Sequence, residues 1–156
     1  MDIRKADIKD LKRIIELGAM LQEDSKIFEH NLLFDIEDSY KHYKKELGNQ
    51  NAQIIIALVN GHIVGYQYSY IKTLDYLVDH NKECTFEALY VLPDFRGQGI
   101  GRQLVEKAKK WAIIEKNVNR LKAHIYSGNI SSEKLHLKDG FRAYNTEYLY
   151  ETNNNQ

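Results

Sequence analysis

Disulfide chemistry is closed to this chain, because Cys84 is its only cysteine. A reducing cytoplasm is therefore the expected compartment, and Cys84 is expected to be a small buried residue. Pro93 is the only proline in 156 residues, which fits a chain made mostly of regular elements. Charge of one sign is also missing: 22 basic residues oppose 22 acidic ones. No global field then calls for nucleic acid or an anionic membrane. No window approaches the roughly 20 apolar residues of a membrane span. The start, Met1-Asp2-Ile3-Arg4-Lys5-Ala6, has no apolar segment, so no signal peptide is expected. His30, His42, His62, His80 and His124 show no metal-ligand spacing, and no metal is expected. Repeats and linkers are absent, so the reading is one domain over 1–150 with a polar tail, 151–156, expected to fray.

What is present is strong periodicity. Ile3 and Arg4 begin a short strand, and Asp7 caps a helix over 8–23, with Ile8, Leu11, Ile14, Ile15 and Leu21 at helical spacing. Residues 24–34 read as a loop or broken helix. A second helix is expected over 38–47, closed by Gly48-Asn49, its charges forming a solvated face. Two strands, 53–59 and 63–71, flank Asn60-Gly61, the best hairpin signal in the chain. Tyr66, Tyr68 and Tyr70 alternate and so share one face. Further strands are expected over 86–92, 120–126 and 141–150, with a serine-capped helix over 131–138. This order predicts an α/β fold: a mixed sheet with helices on both faces.

The chain is organised around residues 85 to 112. A buried strand, Phe86–Leu92, ends at Pro93-Asp94; then come Arg96-Gly97-Gln98-Gly99-Ile100-Gly101 and an amphipathic helix. Strand, glycine loop and helix together suit a phosphate ligand. The unpaired amides of the helix's first turn and its dipole both favour an anion. The spacing is neither Gly-x-x-x-x-Gly-Lys-Ser/Thr nor Gly-x-Gly-x-x-Gly, which excludes those two phosphate loops.

The run Leu89-Tyr90-Val91-Leu92-Pro93-Asp94-Phe95-Arg96-Gly97-Gln98-Gly99-Ile100-Gly101 resembles the Arg/Gln-x-x-Gly-x-Gly/Ala signature of the GCN5-related N-acetyltransferases, or GNAT family. A second resemblance lies downstream, where Asn129, Ser132, Leu135, His136 and Gly140-Phe141 match the spacing of the family's Asn-x-x-Ala-x-x-Leu/Phe-Tyr-x-x-x-Gly-Phe. The two motifs and the strands between them span residues 85 to 141, a little over a third of the chain. The resemblance implies a GNAT-like, mostly antiparallel sheet whose strands splay beside the glycine loop. It implies acetyl-CoA as cosubstrate, held by Arg96, Gly97, Gln98, Gly99, Ile100, Gly101 and Asn129. The pantetheine arm would pair with backbone groups near Leu89, Tyr90 and Val91. Two positions depart from the pattern: serine stands at 132, and His136 replaces the tyrosine that serves the family as general acid toward the departing thiolate.

N-acetyl transfer needs a neutral amine and a donor for the acyl oxygen. Glu87 is the first candidate base, as the one acid on an apolar strand; Phe86–Val91 is similar to the corresponding strand of diamine acetyltransferases. A strand-edge ion pair is the alternative. His136 is the candidate acid, its protonated fraction open to increase by Glu133 and Asp139; Tyr126 and Tyr144 are substitutes. Glu87, Asp75 and Asp79 with nearby tyrosines suit a small cationic amine such as a polyamine or aminoglycoside. A protein amino terminus or lysine is the alternative acceptor. A non-catalytic acyl-CoA sensor is the alternative from another class. The oligomeric state is left open, a homodimer included.

Overall fold

The computed structural model describes residues 1–75 and 82–152. Five strands form one sheet in the order β1-β2-β3-β4-β5: Asp2–Lys5, Ala52–Val59, His62–Thr73, Lys82–Val91 and Leu121–Ala123. The first four pair antiparallel, and β5 joins β4 in parallel. Four helices follow from the periodicities: α1 over Leu11–Ser25, α2 over Ile36–Leu47, α3 over Ile100–Lys110 and α4 over Ile130–Lys138.

Two cores sandwich the sheet. On one face Leu11, Ile14, Leu17 and Tyr43 of α1 and α2 meet Ile54, Ile56, Tyr66 and Tyr68. On the other, Ile100, Leu104, Val105 and Ala108 of α3 meet Ile55, Ala57, Val64, Cys84 and Phe86. Alternation along β2 sends successive isoleucines to opposite cores. Tyr66 and Tyr68 are buried packing residues, as their alternation predicts.

The expected elements form with local adjustments. Asp7 caps a 3₁₀ turn, Ile8–Asp10, that leads into α1; Asp10 reciprocates by accepting from the Asp7 amide at 2.8 Å. Arg4 donates both guanidinium arms to Asp10, at 2.7 and 2.9 Å, tying β1 to the start of α1. Asn60 and Gly61 both take positive φ, 51° and 79°, as a two-residue hairpin requires. α2 begins two residues early because Asp35 caps it, accepting from the Asp38 amide. The cap of α4 is Asn129 and not a serine: its Oδ1 accepts from the Ser132 amide at 3.2 Å.

The strand expected over 141–150 does not form. β5 is only three residues long and gives it little ladder to join. Phe141 instead turns inward against Phe86 and His136, with ring centroids 5.7 and 5.2 Å away. Asn145 then accepts from the Thr146 amide at 2.9 Å, and Tyr148, Leu149 and Tyr150 are all exposed. Asp79 and His80 lie outside the described residues.

Candidate active site

The sheet forks beside the glycine loop. β4 pairs with β5 only from Cys84–Leu121 to Phe86–Ala123; beyond that point Glu87 to Val91 have no strand on that side among the described residues. The Leu92 amide donates to Val64 of β3 at 2.9 Å. Strand alternation then directs the backbone groups of Tyr90 toward β3 and those of Leu89 and Val91 into the open slot. The backbone of Tyr90 is therefore committed to the sheet, whereas that of Leu89 and the amide of Val91 face the slot.

At the end of the slot lies the glycine loop. Leu92 leads into a 3₁₀ turn, Pro93–Phe95, and then the loop. Gly97 and Gly99 take φ of +76° and +79°, a left-handed region closed to most side chains, and a Cβ at either would meet nothing within 4 Å. Gly101 is small for another reason: a Cβ there would come within 3.0 Å of Leu135 on α4. Among the described residues no backbone amide from 97 to 102 donates to a protein acceptor, and the first turn of α3 carries no acid. These are the conditions for anion binding at a helix start. Arg96 shapes the loop: its Nε donates to the Val91 carbonyl at 2.8 Å, and its guanidinium lies over the Tyr90 ring and pairs with Asp24 of α1 at 2.8 Å. Gln98 donates to the Asp94 carbonyl at 3.1 Å. Ile100 opens α3 with its side chain buried in the core. Asn129 uses its Oδ1 as the cap, which leaves its amide hydrogens as donors.

Glu87 lies on the opposite side of the slot from α3. Tyr68 pairs with Ala88 and Ser69 with Phe86, so Glu87 is the extra residue of a β-bulge. Its exposed carboxylate lines a cleft of about 380 Å³ with His42, Glu46, Asn49, Tyr68, Tyr70 and Ile71. The expectation that α2 presents only a solvated charged face is corrected here: Glu46 is buried, and the Tyr68 hydroxyl donates to its Oε2 at 3.0 Å. Burial, then the Glu46 carboxylate, push the Tyr68 phenol well up. The spacing of Tyr43, Glu46 and Leu47 on one helical face was the available signal. Glu83 is a structural residue, buried between Lys72 and Arg120 at 3.3 and 2.8 Å.

His136 is buried on α4. Its Nδ1 lies 2.8 Å from the Ser132 carbonyl, to which it donates. Burial lowers its pKa; the Ser132 carbonyl and Asp139 oppose this without overcoming it. Asp139 acts in the direction anticipated, but the net shift is downward. Tyr126 stacks on Phe28, and Tyr144 lies over Arg120. Burial pushes the Cys84 thiol up to about 12, which removes its nucleophilic form at neutral pH. Asp75 is exposed and does not line the cleft. Among the described residues no three His, Cys, Asp or Glu side chains gather to hold a metal, and no helix is long and apolar enough to cross a membrane.

Residues 17–141 match the family model described as the acetyltransferase (GNAT) family. An uncharacterised N-acetyltransferase of Archaeoglobus fulgidus is 27% identical over 128 residues, covering 82% of each chain. The acetyltransferase PseH of Campylobacter jejuni is 25% identical over 113 residues, covering 72% of this chain and 66% of its own. Among solved structures, the aminoglycoside N-acetyltransferase AAC(6')-Iy in complex with CoA superposes with a TM-score of 0.80 at 21% identity, over 97% of this chain and 94% of its own.

Proposed function

The chain belongs to the acetyltransferase (GNAT) family, and from its activity as an acetyl-CoA-dependent N-acetyltransferase we propose that its acceptor is a small cationic primary amine bound in the cleft beside Glu87. The observation that carries this reading is the bulge. It turns one carboxylate out of an apolar strand, at the slot's edge, into a cleft walled by tyrosines. A volume of about 380 Å³ stands at the low end of the range for small-molecule sites, roughly 300–1,000 Å³.

The residues divide the work as follows. The amides of 97–102 hold the pyrophosphate, and the backbone groups of Leu89 and Val91 align the pantetheine arm. Asn129 donates its side-chain amide to the same ligand. Glu87 accepts a proton from the ammonium, directly or through one water. The neutral nitrogen attacks the thioester carbonyl; a C–N bond forms and the C–S bond breaks. The sulfur leaves as a thiolate. Free thiols have a pKa near about 8.5, so solvent suffices to protonate it, and His136 holds α4 in place instead. Acetyl-CoA and an ammonium thus give the acetamide, free CoA and one proton. We place this chemistry in the cytoplasm, where a lone buried cysteine stays reduced.

Thiol release from acetyl-CoA across a panel of small amines, with mass spectrometry of the product, tests the reading. At least one small cationic amine should turn over. Glu87→Gln should lower its kcat by about 10²–10⁴-fold, leave CoA affinity unchanged, and lose less at high pH. A protein that acetylates peptides and none of these amines would overturn it.

A further inference from the structure

The cleft holds a carboxylate that acetyl transfer does not need. Four acids are buried among the described residues: Asp10, Glu46, Glu83 and Asp139. Three of them have cations. Arg4 pairs with Asp10, Lys72 and Arg120 with Glu83, and Lys109 and Arg102 with Asp139. Glu46 alone has no Lys, Arg or His within ion-pair distance among the described residues. Its partners are neutral: the Tyr68 hydroxyl at 3.0 Å and the Asn49 amide at 3.3 and 3.5 Å.

An uncompensated buried charge is costly, and two neutral donors offset only part of that cost. Glu46 is 8% exposed, yet it lines the same cleft as Glu87. The rings of Tyr68 and Tyr70, 5.8 Å apart, form the wall between helix and strand. Aromatic faces beside a carboxylate are a favourable setting for an organic cation. We infer that Glu46 is a subsite for a second cationic group of the acceptor, which makes the substrate a short diamine or a longer polyamine. This rests on the acceptor class proposed above. One nitrogen gives its proton to Glu87 and reacts. The other keeps its charge and binds Glu46 throughout, so its contribution falls on substrate binding.

The experiment compares 1-aminobutane, 4-amino-1-butanol and α,ω-diamines of increasing length as acceptors. Wild type should prefer the best diamine over the monoamine by at least about tenfold in kcat/KM, equivalent to about 1.4 kcal/mol, and mainly through KM. Glu46→Gln should bring that ratio to within about twofold of one. Glu87→Gln should lower kcat for both amines and keep the ratio. Glu46→Asp, which draws the carboxylate back by one methylene, should move the optimum to a longer diamine; it also serves if Glu46→Gln fails to fold, with CoA calorimetry as the check on folding. Equal use of monoamine and diamine by wild type would overturn the subsite, as would a diamine preference that survives in Glu46→Gln. Acetyl-CoA binding without turnover of any of these amines would instead overturn the acceptor class itself.

Discussion

At Glu87 the register of β3 and β4 slips by one, and that slip gives the carboxylate its direction. Without it, strict alternation after Phe86 would put the later residues of β4 on the wrong faces, and Ala88 and Tyr90 would leave the α1–α2 core they occupy. His136 shows the opposite case, a polar ring turned inward. Its pKa is lowered from 6.5, chiefly by burial, so between the folded value and 6.5 the unfolded chain binds the extra proton. Stability therefore rises with pH through that window, is complete above 6.5, and is lost as pH falls. The thermal midpoint of wild type should drop between pH 7 and 5, and His136→Gln should flatten that slope. The same variant should keep kcat within a few-fold at pH 7 to 8. A large loss of kcat there, with an unchanged stability slope, would restore the ring as the acid.

At the scale of elements, the loop before α3 is both a turn and the proposed pyrophosphate site. Its two left-handed glycines shape the turn in which the amides of 97–102 find no protein acceptor among the described residues, and the helix dipole adds to their pull on an anion. Gly99→Val forces a β-branched residue to a φ of +79°, a strain of about 1–3 kcal/mol, with no neighbour in the way. Relieving the strain reorients the amides. CoA affinity by calorimetry should fall at least tenfold, an effect of about 1.4 kcal/mol, while the protein stays folded; unchanged affinity would move the pyrophosphate elsewhere. This loop was legible in the sequence because glycine spacing, a lone proline and an amphipathic helix are all local signals. The Glu46 side of the cleft was not. Glu46 sits in a helix whose other charges are solvated; its spacing from Tyr43 and Leu47 hints at an inward face, but its partner, the Tyr68 hydroxyl, comes from a strand 22 residues on. The missing strand after Phe141 failed for a similar reason: its composition suits a sheet, but pairing needs a partner edge, and β5 ends at Ala123.

At the scale of the molecule, the slot is a fork, and a fork needs a closed end. Glu83 supplies it. Its buried carboxylate accepts from Arg120 at 2.8 Å and pairs with Lys72 at 3.3 Å, which binds β3, β4 and the entry to β5 together. The Cys84 amide donates to the Arg120 carbonyl at 2.9 Å in the same place. Beyond Phe86 the strands part, so this clamp and the three-residue ladder are what hold β5 to the sheet. Burial alone would raise the pKa of Glu83, but Arg120 and Lys72 outweigh it and the net shift is downward. By linkage, the stability it contributes is present above its ordinary value of 4.5 and is lost as pH falls through the folded value. Glu83→Gln keeps the shape and leaves two cations without their partner. Both cations are partly exposed and water re-solvates them, so the loss is that of charge-assisted hydrogen bonds, about 1.5–3 kcal/mol, and at about 2–4 °C per kcal/mol the midpoint at pH 7 should fall by roughly 3–12 °C. The gap between variant and wild type should then narrow below pH 4.5, where wild type loses the same charge. A gap that stays constant down to pH 3 would mean that packing, and not the ion pairs, closes the fork.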